Sequence, residues 1–155
     1  MQSMIKATLL IAFTMMLMSA CTHSLRDQCS QWTPIIHMNA ALRESKVLKL
    51  SREQQYEVYF CAMRFMHPPH LGIAITVASN GEKIIPLLRH RLKKSDEREI
   101  VDILFVFEQM EANEFFSVST NETLMDELNL GRSRIGNKVL KSIADDSMRR
   151  IRGLD

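Results

Sequence analysis

The chain has 155 residues, 46% of them hydrophobic and 25% charged, with only five Gly and four Pro. This is a globular composition and excludes a disordered or fibrous chain. Its 20 Lys and Arg against 18 Asp and Glu leave a formal net charge of +2, so no whole-molecule field argues for nucleic acid or an acidic substrate.

Lys6, an apolar run over residues 7–18 and the small pair Ser19 and Ala20 precede Cys21. Positive, apolar and small-residue regions in that order make an export signal. The run is too short for a hydrocarbon core that needs about 20 residues. The stretch Leu17, Met18, Ser19, Ala20, Cys21 resembles the lipobox of bacterial lipoprotein precursors, with Met18 standing where Leu is commonest. The resemblance covers the leader alone. It implies that residues 1–20 are a signal peptide removed before Cys21, that Cys21 carries lipid, and that the lipid anchors the chain to a membrane. Several acyl chains hold stably where one would not. Thr22 follows the cysteine where an inner-membrane retention signal of the enterobacterial kind has Asp, which implies the outer membrane, facing the periplasm.

With Cys21 acylated, Cys29 and Cys61 remain as an even pair in an oxidising compartment. A disulfide between them closes a loop of about 33 residues, about 3.7 kcal/mol in the chain-entropy model. The alternative is a buried free thiol at Cys61, beside Phe60, Ala62 and Met63, with Cys29 in a loop. Neither thiol has the Cys-x-x-Cys setting or helix N-terminus that would make it catalytic.

Residues 21–31 are polar and read as a tether, and residues 32–155 as a single helical domain that opens with Trp32, Pro34, Ile35 and Ile36. A loose helical pattern covers residues 38–48. Ser51 and Gln54 form a capping box, and behind it Tyr56, Tyr59, Phe60 and Met63 share a face, with an end near His67 set by Pro68 and Pro69. Residues 70–79 are ambiguous: Ile73, Ile75 and Val77 alternate as in a strand, yet no partner strand is evident and Asn80-Gly81 suits a helix end. Helix is the reading taken. Residues 82–94 put Ile84, Ile85, Leu88 and Leu92 on one stripe. Ser95 and Asp96 cap a helix to about residue 112 that is apolar almost all round and so central. A second capping box, Ser119 to Glu122, opens a short helix that Leu130 and Gly131 stop. A last helix over residues 133–151 is expected to bury Ile135, Val139, Leu140 and Ile143. The sum is an all-α, irregular bundle of five to seven helices. Gly81, Pro86, Asp96 and the apolar residues around them resemble one HEAT-type helical hairpin over residues 81–112. No second copy follows at the period that stacking requires.

His67, Pro68, Pro69 and His70, with Met66 just before, are the metal candidates, since thioether and imidazole suit copper(I). The bland reading is solvent-facing or capping histidines. Glu108, Glu111 and Glu114, and the acidic pairs Asp126/Glu127 and Asp145/Asp146, raise paired-carboxylate chemistry but suit a solvated face better. There is no nucleophile elbow, phosphate loop or zinc spacing, so neither an enzyme nor a cofactor is expected. Arg132, Arg134, Lys138, Lys141, Arg149 and Arg150 make the last helix locally basic, as a solvated face or as a dock for an anionic surface. The leading functional reading is a lipid-anchored, non-catalytic periplasmic module that binds a protein partner. The alternatives are an immunity lipoprotein against a periplasm-acting toxin and a copper-handling protein.

Overall fold

A computed structural model describes residues 25–65 and 71–154. The leader, Cys21 and the Met66, His67 and His70 group therefore lie outside the described residues. The chain divides into two compact units, residues 1–31 and 32–155. In the first, α1 (Leu25–Ser30) stands where a polar tether is expected, and Ser30 Oγ donates to the Asp27 carbonyl at 2.8 Å. Cys29 and Cys61 are both disulfide-bonded.

The second unit is built from α2 (Thr33–Ile36), α3 (Ala40–Val47), α4 (Arg52–Phe65), α5 (Leu71–Ala78), α6 (Ile85–Lys94), α7 (Glu97–Ala112), α8 (Glu122–Ser133) and α9 (Lys138–Ile151). The fold is all-α, with nine α-helices among the described residues rather than five to seven. The excess is α1 and α2, both too short to show a period. Residues 71–78 are helical, which resolves the strand alternative. Helix α7 is the hub, packed by α4, α5, α6, α8 and α9. Tyr56, Tyr59, Ile73, Ile84, Leu88, Ile103, Leu104 and Phe107 are fully buried around it.

The first capping box forms as expected: Ser51 N donates to Gln54 Oε1 at 3.0 Å and Gln54 N to Ser51 Oγ at 3.3 Å. Helix α4 buries a wider face than its aromatic stripe. Tyr56 and Tyr59 are joined by Val58, Cys61 and Ala62, while Phe60 and Met63 are half-buried, because α2, α5 and α7 all pack on it.

Four boundaries differ from expectation. Residues 82–94 are not one helix. Gly81–Ile84 is a 3₁₀ turn, and α6 begins at Ile85 with Pro86 in its first turn, the place where a missing N–H costs nothing. Gly81 enters that turn at φ 55°, and a Cβ there would stand 2.8 Å from the Phe115 carbonyl oxygen. Helix α8 is capped by Asn121, whose Oδ1 accepts from Leu124 N at 3.1 Å, because Ser119 is taken by Glu111. Ser119 N and Oγ donate to the two Glu111 carboxylate oxygens at 2.9 and 2.8 Å, charge-assisted bonds that fix the Ser119 side chain on Glu111.

Gly131 does not stop α8 but lies inside it, where the missing Cβ lets Leu92 approach. Helix α9 starts at Lys138 under an Asn137 cap and buries Ala144, Ser147, Met148 and Ile151. Ile135 is buried as expected, but Val139 is 69% and Ile143 44% exposed, and Leu140 is half-buried. The small Ala144 and Ser147 let α9 close on α7, since helix separation follows the side chains at the contact.

Candidate functional site

The basic C-terminal residues are largely spent within the fold. Arg132 Nε donates to Asp145 Oδ1, and Lys141 Nζ stands 3.6 Å from the same oxygen. The Arg132 hydrogen bond is the main reason the Asp145 carboxyl is held below its usual range. Arg134 reaches from the end of α8 to the end of α6, donating to the Leu92 carbonyl at 2.8 Å and the Ser95 carbonyl at 2.6 Å. These are carbonyls that a helix end leaves without partners. Arg150 grips Glu108 through Nε at 2.8 Å and Nη2 at 3.0 Å, and Arg149 donates to the Leu154 carbonyl. Among the described residues, Lys138 is the basic candidate whose ammonium no carboxylate or carbonyl holds.

The acidic candidates are separated in the same way. Glu108 goes to Arg150, Glu111 to Ser119, and Glu127 to a two-pronged contact with Arg89, both bonds at 2.6 Å. That contact holds the Glu127 carboxyl below its usual range. Glu114 stands apart in a left-handed turn at φ 57°. No group of three or more His, Cys, Asp or Glu among the described residues could hold a metal ion. No single helix among them is long and apolar enough to cross a membrane.

Among the residues that the C-terminal helices leave exposed, three are large and apolar. Val139 and Ile143 are four residues apart on α9 and so neighbours on its surface, and Leu130 of α8 is 67% exposed. Leu130 borders a groove of about 380 Å³ between α6 and α8 that Leu92, Lys93, Glu127, Gly131 and Arg134 complete. Sequence reasoning missed this groove. Its signal was Gly131, whose helix-breaking reputation concealed a close helix contact.

A second feature was also missed. On α7, amid the apolar run, Asp102 is 4% exposed, and burial pushes its carboxyl up to about 7 against the pull of Arg64 and Arg98. Tyr59 Oη donates to the Asp102 carbonyl at 2.7 Å and Tyr56 Oη to Glu99 Oε1 at 2.9 Å. Burial drives both phenols well above their usual range. One acid inside a hydrophobic run was the available signal, and the apolar count hid it.

No protein family model, curated protein or solved structure is significantly similar to this chain. The lipobox and HEAT-like resemblances therefore stand on their own residues.

Proposed function

We propose that this chain is a lipid-anchored, non-catalytic helical module of the bacterial periplasm that binds another protein. The anchor is Cys21, set behind its lipobox and followed by Thr22, and outer-membrane sorting is part of the same reading. The observation that carries the binding half is the pair Val139 and Ile143, 69% and 44% exposed on α9. Two β-branched side chains held side by side in water lower the free energy of whatever covers them. The surface proposed is this face of α9 with Lys138 at its start. The basic cluster as a whole is not part of it, because most of its cations serve the fold.

Crosslinking in intact bacteria tests the reading. The wild-type chain is expected to give a reproducible crosslinked species, and the Val139→Asp/Ile143→Asp chain to lose it while remaining in the membrane fraction. Equal crosslinking by both chains, or none by either, overturns the binding surface. A recovered chain that starts at Met1 and carries no lipid overturns the anchor.

A further inference from the structure

Helices α4 and α7 are laced together by side chains. Besides the two tyrosine bonds, Arg64 Nη2 donates to Asp96 Oδ1 at 2.9 Å and Arg98 Nη2 to the Met63 carbonyl at 3.0 Å. In the middle of this seam two buried polar atoms have no hydrogen-bond partner among the described residues. One is a carboxyl oxygen, Asp102 Oδ2, and the other a guanidinium donor, Arg64 Nε. Buried polar atoms are almost always matched, and here an unmatched donor lies in the same seam as an unmatched carboxyl oxygen.

Two carboxyls stand within the influence of Arg64, and their surroundings differ. The Asp96 side chain is 68% exposed, whereas that of Arg64 is 10% exposed and Asp102 is 4% exposed. Water readily replaces a guanidinium at an exposed carboxylate, and such surface pairs are worth little. An ionised carboxylate in the interior has no such substitute and needs a cation. The neutral acid escapes that need, which is why burial favours the protonated Asp102.

The geometry points to a proton-operated latch in which Arg64 is shared between two carboxyls. With Asp102 protonated, the guanidinium rests on Asp96 as observed. When Asp102 gives its proton to solvent, the guanidinium turns to Asp102 Oδ2 and releases Asp96. The consequence reaches the backbone, because Asp96 Oδ1 also accepts from Glu99 N at 2.8 Å and so caps α7. The release leaves that cap without its cation.

The charged surroundings are consistent with a local device. Arg64 of α4, with Arg98, Glu99 and Asp96 of α7 and its cap, are the groups that act on Asp102. Tyr56 and Tyr59 face the seam from α4, and Arg91 of α6 lies 5.3 Å over the Tyr56 ring. Leu71–Ala78 of α5 contains no titratable side chain. From α9, Arg150 is held by Glu108 more than a turn further along α7, and on α8 Glu127 and Arg132 are paired with Arg89 and Asp145. The latch does not depend on which partner the module binds.

Carbon-detected NMR of the isotopically labelled full chain tests it, following the Asp102 carboxyl carbon and the Glu99 amide between about pH 4 and pH 9. Asp102 is expected to titrate with a midpoint near about 7, with the Glu99 amide moving at the same midpoint. In Asp102→Asn that amide movement is expected to vanish. An Asp102 midpoint in the ordinary carboxylate range, or a Glu99 amide that ignores the Asp102 transition, overturns the latch. Should Asp102→Asn fail to fold, the exposed Asp96→Asn provides the test. Freeing Arg64 is expected to lower the Asp102 midpoint by at least about half a unit, and an unchanged midpoint overturns the proposal.

Discussion

A carboxyl set inside a helical core changes how stability runs with pH. The folded-state value of Asp102, about 7, lies above the roughly 3.9 of an unfolded chain. Its neutral form therefore contributes stability that is complete below about pH 4 and is lost as pH rises to about 7, roughly 4 kcal/mol in all. Asp96, Glu127 and Asp145 are displaced downward, so their contributions are present above the unfolded value and lost on acidification. Comparing Asp102→Asn with the wild type cancels Glu127 and Asp145, which are not among the groups that act on Asp102. In urea unfolding at pH 5 and pH 8 the variant is expected to gain on the wild type as pH rises, and a constant gap would count against a raised Asp102. The basic residues make a contrasting pair. Arg150→Ala strands Glu108, whose side chain is 9% exposed, and is expected to cost about 2 kcal/mol. Lys138→Ala is expected to stay within about 0.5 kcal/mol. Equal effects in denaturation would refute the division of that cluster into structural and unspent cations.

At the scale of the element, several helix ends were legible in the sequence, whereas the Asn39 and Asn137 caps were not. Ser51 with Gln54, Asp96 before α7 and the helix stop near Asn80 all read correctly, because the hydrogen bonds involved are local. Ser119 misled because two good capping residues lay two positions apart, and a distant carboxylate, Glu111, decided between them. Asn121→Ala is accordingly expected to cost about 1 kcal/mol and Ser119→Ala clearly less, as chemical denaturation of the two variants would show. The reverse order would restore Ser119 as the cap. Faces were harder to read than ends. On α9 the stripe Val139 and Ile143 and the stripe Ala144, Met148 and Ile151 share the same period, and hydrophobicity favours the first. The fold buries the second because Ala144 and Ser147 are small, a property that periodicity does not weigh. The groove beside Gly131 and the Asp102 seam each left one residue as a signal, but its meaning depends on what a neighbouring helix brings.

At the scale of the whole molecule, the all-α architecture follows from helical periods and short connections, and α7 was legible as its hub from its apolar run alone. The disulfide was legible only through the compartment that the sequence led one to expect: reading the leader as an export signal turns Cys29 and Cys61 from two apolar residues into an expected bridge. Both are buried, at 4% and 1% exposed, and both are disulfide-bonded. Burial makes the bond kinetically shielded, because exchange requires a thiolate to reach a sulfur. A loop of about 33 residues makes it thermodynamically valuable, worth about 3 to 4 kcal/mol. That is a large share of the 5 to 15 kcal/mol typical of a domain. The two effects have separate signatures. In native buffer a mild reductant followed by alkylation is expected to leave Cys29 and Cys61 unmodified by intact mass, whereas the same treatment in urea modifies both. Once reduced and returned to buffer, the chain is expected to unfold at a clearly lower urea concentration than the oxidised form. Rapid alkylation of the native chain would mean that the helices around Cys61 open far more readily than their packing implies. An unchanged urea midpoint would mean that the bridge constrains segments already held together without it.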